Sequence, residues 1–206
     1  NVHSLTNQNS DAYTGYDVTC YVEDIPSNQL DNWAKIQSDR FKNNVIRGFH
    51  TELETVYEEK NMSLTNDSRK VIEAILGSLY TKHPYGTQTV LGSQEHLKNP
   101  SITNIKNFYK QWYVPNNMAI CMSGDFDYDE AMDVIEKYFG DMQPNKDLQM
   151  LDFAAEEEIT APVEREVLGL ESENVTIAWR LPGAASDEAL MLEVADAIMN
   201  NGKAGI

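Results

Sequence analysis

The chain has 206 residues, enough for one large domain or for one domain and part of another. It is 41% hydrophobic and 24% charged, which points away from a disordered chain. Its 33 acidic against 16 basic residues give a net charge of -17, which argues against nucleic acid and an anionic membrane surface and would attract basic peptides or metal cations. The same charge would also serve solubility alone. No apolar run approaches the ~20 residues that span a bilayer.

In chain order, DAYTGYDVTCYVEDI (11–25) is rich in Thr, Tyr and Val and reads as a strand. Pro26 and Ser27 predict a stop and a helix cap, followed by Leu30, Trp33, Ala34 and Phe41 at helical spacing. A second helix carries Val45, Ile46, Phe49, Leu53, Val56 and Tyr57. A third runs from about Asp67 to Tyr80, with Val71, Ile75 and Leu79 on one face, and ends at His83-Pro84-Tyr85-Gly86. His83 there reads as a hydrogen-bonded structural residue rather than a ligand. Ser101 predicts the cap of a helix bearing Ile102, Ile105, Phe108 and Trp112, which Pro115 breaks. MAICMS (118–123), apolar on both faces, reads as a central strand. Asp127 and Glu130 form a capping-box variant before Ala131, Val134, Ile135 and Tyr138, and Gly140 is placed to end that helix.

Residues 141–163 change character. Pro144, Pro162 and the triplet Glu156-Glu157-Glu158, with little periodicity, suggest a linker. Two strand candidates follow, 166–170 and 175–183, the second with Val175, Ile177, Trp179 and Leu181 in alternation. Ser186 then caps a helix with Leu190, Val194, Ala197 and Ile198, closed by Gly202. Strands mixed with long helices, without regular βαβ alternation, give an α+β class. The expected sheet is mixed or antiparallel and covered by helices. The two cysteines, Cys20 and Cys121, sit in apolar strand-like runs and are expected to be buried free thiols.

The stretch FHTELETVYEEKN (49–61) carries four glutamates beside an apolar stripe. At ~100° per residue, Glu52 and Glu59 share one border of the stripe, while His50 and Glu54 share the other. Three readings stand open: solvated carboxylates, a metal held by His50 and Glu54, or a metal held by Glu59 with ligands from elsewhere. Seven residues rise about 10 Å, so Glu52 would support a metal on Glu59 rather than share it.

DAYTGYDVTCY, ELETVYEE with its Glu-x6-Glu spacing, HPYGTQTVLGSQEHL, and the run from FYKQWYVPNNMAICMSGDF to AMDVIEKYFG come in one order. In that order they resemble the pitrilysin/insulinase family of zinc metallopeptidases, which includes the mitochondrial processing peptidases. The resemblance implies a partial metallopeptidase domain of the processing-peptidase type, with three parts: the latter portion of a peptidase-type domain (1–145), a linker (146–163) and the start of a second homologous domain (164–206). It implies zinc as the cofactor of the parent enzyme and a peptide or protein as substrate, cleaved by zinc-activated water. Such enzymes carry His-x-x-Glu-His, whose histidines bind zinc and whose glutamate is the general base, with a downstream glutamate as third ligand.

On this pattern Glu59 is the metal ligand and Glu52 its supporting partner. His-x-x-Glu-His is absent: the four histidines are His3, His50, His83 and His96. Counting back from Glu59 by the family's spacing lands before Asn1, so the expectation is a fragment of a longer peptidase, inactive and without zinc by itself. The alternative is a non-catalytic peptide-binding or assembly subunit of the same family. The resemblance also implies that the strand with Ala12 and Thr14 borders the cleft and pairs with substrate, Asp11 standing where the family has Asn. A dimer, or association with a second homologous domain, is the expected assembly, since unpaired strand edges invite pairing.

Overall fold

The computed structural model describes residues 9–200, so the expected stop at Gly202 lies outside the described residues. The fold is α+β, helix-rich with a small two-stranded antiparallel sheet. The strands are β1 (Asn9–Thr14) and β2 (Thr19–Asp24). The helices are α1 (Leu30–Lys42), α2 (Phe49–Leu64), α3 (Asp67–Leu79), α4 (Pro84–Thr87), α5 (Gln94–Lys98), α6 (Ile102–Trp112), α7 (Tyr128–Phe139) and α8 (Asp187–Met199).

The single strand expected over 11–25 is instead a hairpin. Ala12 stands opposite Tyr21 and Thr14 opposite Thr19, and Gly15 N–H donates to the Val18 carbonyl at 2.8 Å to close the turn. Strand propensity is the same on both sides of this turn, so composition alone merges the two strands.

Most helix starts follow from a side chain that satisfies an orphan N–H. Asn66 accepts from Arg69 N–H, Ser101 from Asn104 N–H, and Ser186 from Ala189 N–H. Asp127 accepts from both Asp129 and Glu130 N–H, at 2.9 and 3.0 Å. Gly140 ends α7 with its N–H on the Glu136 carbonyl. Two expected starts move. Ser27 opens a 3-10 turn, Ser27–Gln29, with no side-chain cap, and α1 begins after it. α2 begins at Phe49, because Gly48 sits at φ 63°, a left-handed conformation outside any α-helix. Val45 and Ile46 are therefore not on α2, and Val45 is exposed.

The three other strand expectations fail in one way. Residues 118–123, 166–170 and 175–183 join no ladder among the described residues. Alternation only says that a strand would have two faces; a strand also needs a neighbour for its N–H and C=O groups. Leu170, Val175 and Trp179 are consequently 96%, 88% and 73% exposed. Cys121 is exposed and Cys20 half-buried, both free thiols, which corrects the expectation that both are buried.

The chain packs as two compact units, one of residues up to Ser63 with Gln88–Phe153, the other of Leu64–Thr87 with the residues from Ala154 onward. In the first, α1 packs on α7. Each contributes a buried alanine, Ala34 and Ala131, the only buried apolar residues among those described. Asp31 ties the pair by accepting from Lys137 Nζ at 2.7 Å and from the Tyr138 hydroxyl at 2.8 Å. An aromatic group anchors β2: the Tyr21 ring meets Phe41 edge-on, and its hydroxyl lies 3.2 Å from that of Tyr113, which stacks on Tyr109. Burial pushes the Tyr21 hydroxyl above the usual tyrosine range and the Tyr109 hydroxyl up to about 12. Gln37 on α1 also donates to the Glu23 carboxylate at 2.8 Å.

In the second unit, α4 folds back on α3 through a glycine. A Cβ on Gly86 would collide with the Tyr80 carbonyl oxygen and lie 2.5 Å from that of Leu76. His83 Nδ1 accepts from Tyr85 N–H at 3.2 Å, a structural hydrogen bond in the turn between the two helices. α8 forms as expected behind its Ser186 cap.

Candidate functional site

The acidic helix α2 runs 16 residues. Its first-turn N–H groups are met in part by the preceding loop, the Gly48 carbonyl accepting from Glu52 N–H at 3.0 Å. The inward stripe of α2 is formed by half-buried Leu53, Val56 and Tyr57 and by buried Lys60 and Ser63. Placed at ~100° per residue, Glu52 and Glu59 flank this stripe on one side, and both are exposed. His50 and Glu54 are exposed on the other side. The His50 ring lies edge-on to Phe49 at 5.6 Å. A shallow cavity of about 220 Å³ opens on that second side, between Leu53, Glu54, Tyr57 and Glu58 of α2 and Leu97 and Lys98. Glu59 is not among its walls.

Lys60 is the residue that sequence reasoning missed. Its side chain lies on the inward stripe and the residue is 6% exposed. Nζ donates to Thr89 Oγ1 at 3.4 Å, and Thr89 Oγ1 in turn donates to the Gly92 carbonyl at 2.9 Å. One residue further, Asn61 Oδ1 accepts from Gln94 Nε2 at 2.7 Å. These two polar ties hold the 89–94 turn against α2. The signal was present: Leu53, Val56 and Lys60 follow the 3-then-4 spacing of a buried face, and only the charge of lysine hid it.

Ala12 and Thr14 lie on β1, every residue of which is exposed. Ala12 N–H donates to Asp11 Oδ1 at 2.8 Å, and Thr14 Oγ1 lies 3.4 Å from Thr19 Oγ1. Among the described residues β1 forms a ladder only with β2, and a strand edge without a ladder partner is what adding a strand requires.

Residues 101–206 match the model of the peptidase M16 inactive domain, about half of the chain. The chain belongs to the M16 peptidase family. Relatives of this M16 chain include an uncharacterized zinc protease of Mycobacterium leprae, 24% identical over 63% of this chain and 29% of that protein. A probable mitochondrial-processing peptidase subunit beta of Schizosaccharomyces pombe is 25% identical over 68% of this chain and 31% of its own length. A probable zinc protease PqqL of Escherichia coli is 24% identical over 66% of this chain and 15% of that protein. The M16 chain thus spans less than a third of each of these three curated relatives. Its fold is similar to that of a protease from Helicobacter pylori, with a TM-score of 0.65 at 19% identity, over 72% of this chain and 37% of that one.

Two of these three M16 relatives are named zinc proteases, which raises the question of whether the donor set of this chain fits zinc. A structural or catalytic zinc takes at least three protein ligands within a few ångströms. Among the described residues there is no group of three His, Cys, Asp or Glu side chains that could hold a metal ion. Glu59 offers one carboxylate, and the described residues do not by themselves fit a zinc ion. Among the described residues, His50 and Glu54 have no third ligand beside them.

Proposed function

We propose that this M16 chain is part of a zinc-dependent endopeptidase, in which Glu59 is one metal ligand and the remaining ligands are not among these 206 residues. Glu52, on the same edge of α2, supports the ligand electrostatically. The observation that carries the reading is the shared edge of Glu52 and Glu59, free of competing side-chain bridges in the hydrogen bonds described and backed by the Lys60–Thr89 and Asn61–Gln94 ties. The domain arrangement that suits this reading is a peptidase-type part (1–145), a linker (146–163) and the opening of a second homologous domain (164–206). The substrate is a peptide that adds as a strand beside β1 at Ala12 and Thr14, and the acidic excess favours basic sequences. Association with a second homologous domain, or with a second copy, would cover the unpaired segments at 166–170 and 175–183.

The test is Glu59→Gln in the intact protein, read by bound zinc and by cleavage of a basic peptide. Loss of both, with circular dichroism unchanged, is the expected result. Retention of zinc and of cleavage would remove Glu59 from the site. The chain of 206 residues on its own is expected neither to cleave the peptide nor to bind zinc stoichiometrically.

The match to the inactive M16 domain supports a second reading, a peptide-binding or assembly subunit without catalysis. It is distinguished by the same intact protein: a subunit binds the peptide without cleaving it, and Glu59→Gln leaves that binding unchanged.

A further inference from the structure

Glu156 sits in a segment that reads as a solvated acidic linker, yet its side chain is only 10% exposed. Its Oε1 accepts N–H bonds from Lys82 and His83, both at 2.7 Å. Its Oε2 accepts from the N–H and the hydroxyl of Thr81, both at 3.0 Å. The Arg180 guanidinium lies 3.8 Å from Oε2 and is 18% exposed. Arg180 is itself fixed, donating to the carbonyls of Leu79 and Glu157, with its charge 6.0 Å from the centre of the Tyr80 ring. Lys82 Nζ turns away to Glu157, at 3.0 Å. Three consecutive backbone N–H groups aimed at one point form a concavity of positive partial charge that selects anions. Burial works against the Glu156 charge, but the three N–H groups outweigh it and hold the carboxyl at about 2.

All of these contacts go to the two carboxylate oxygens, so any anion presenting two oxygens at that spacing meets the same donors. We propose that the Thr81–Lys82–His83 turn, together with Arg180, is an oxyanion-binding site that accepts a carboxylate or a phosphate, and that Glu156 is its resident ligand. Residues 154–158 are then a clasp, closed by the chain's own carboxylate, whose removal opens the same donors to another oxyanion. The site is independent of the zinc reading, since none of its residues lies on α2.

The experiment uses the full chain with Glu156→Ala, titrated with acetate and, separately, with inorganic phosphate at constant ionic strength. The readouts are the amide resonances of Thr81, Lys82 and His83 and limited proteolysis within 154–163. The expected result is saturable shifts confined to those three amides, absent in the unsubstituted chain whose site is filled. Cleavage of the opened segment should rise about tenfold, as loss of charge-assisted hydrogen bonds frees an opening equilibrium, and added anion should not restore it. The acetate and phosphate arms decide whether the site prefers a peptide-like carboxylate or a phosphate. Absent shifts, or shifts spread over many amides, overturn the proposal. Should Glu156→Ala fail to fold, Glu156→Gln keeps the shape and removes the charge. Phosphate must then displace the neutral side chain from the same amides, and failure to do so overturns the proposal equally.

Discussion

Two acidic stretches of this protein look alike on paper and behave differently in space. Glu52, Glu54, Glu58 and Glu59 stand exposed on the edges and back of α2. Glu156, in the run Glu156-Glu157-Glu158, is withdrawn from solvent and gripped by four donors, while Glu157 next to it is 85% exposed. Asp67 repeats the second pattern: it accepts from Leu170 N–H and from Glu171 N–H at 3.0 Å, with Lys70 Nζ at 2.9 Å. The Lys70 hydrogen bond comes first among the causes that hold the Asp67 carboxyl below its usual range. An acidic run is thus a solvated face or an anchor according to whether backbone N–H groups from elsewhere converge on it. Charge density along the chain carries no record of that.

The comparison can be broken most sharply at the glycine that shapes the receiving turn. Gly86→Ala would drive a methyl group into the backbone carbonyls of Leu76 and Tyr80, which cannot swing aside, and should cost about 3 kcal/mol or more by urea denaturation. A cost below 1 kcal/mol would mean that α4 does not lie as described.

Next in size is the clasp. Glu156→Gln should lower Tm more than Gln at Glu157 or Glu158, and should flatten the acid limb of the stability profile. The sign follows from a depressed folded value: with the Glu156 carboxyl at about 2 against an unperturbed 4.5, its stabilisation is complete above about pH 4.5 and is lost as pH falls toward 2. Equal acid limbs for the unsubstituted and Gln chains would show that Glu156 is solvated like its neighbours.

Lys60→Ala comes third. It removes a packed aliphatic stem and the bond to Thr89, and should cost about 1–3 kcal/mol in the same denaturation assay, whereas Lys35→Ala on an exposed position should be silent. Ser101→Ala strips the cap from α6 and should cost about 1 kcal/mol, read as Tm.

The smallest effect is expected at the α2 edge. Glu52→Ala and Glu59→Ala should each change stability by less than about 0.5 kcal/mol, as exposed substitutions do. Loss of zinc and activity in the intact protein without loss of stability is what separates a ligand carboxylate from an anchoring one. A large Tm change at Glu59 would reverse the contrast with Glu156.

The sequence by itself determined the longer helices and most of their boundaries, but not the short α4 and α5. Asn66, Ser101, Asp127 and Ser186 act within three residues of themselves, and apolar spacing along α1, α3 and α7 needs no distant partner. The ordered motifs that place Glu59 seven residues after Glu52 are equally local, and the resemblance they carried agrees with the M16 family match. Tertiary structure alone decided that 118–123 and 175–183 find no ladder among the described residues, that Lys60 is buried, and that Glu156 is an anchor. The reason is one of distance along the chain. A cap or a periodic face is satisfied by neighbours a few residues away, whereas strand pairing and the burial of a charge depend on groups such as Thr81, 75 residues from Glu156, whose arrival nothing in the local pattern encodes.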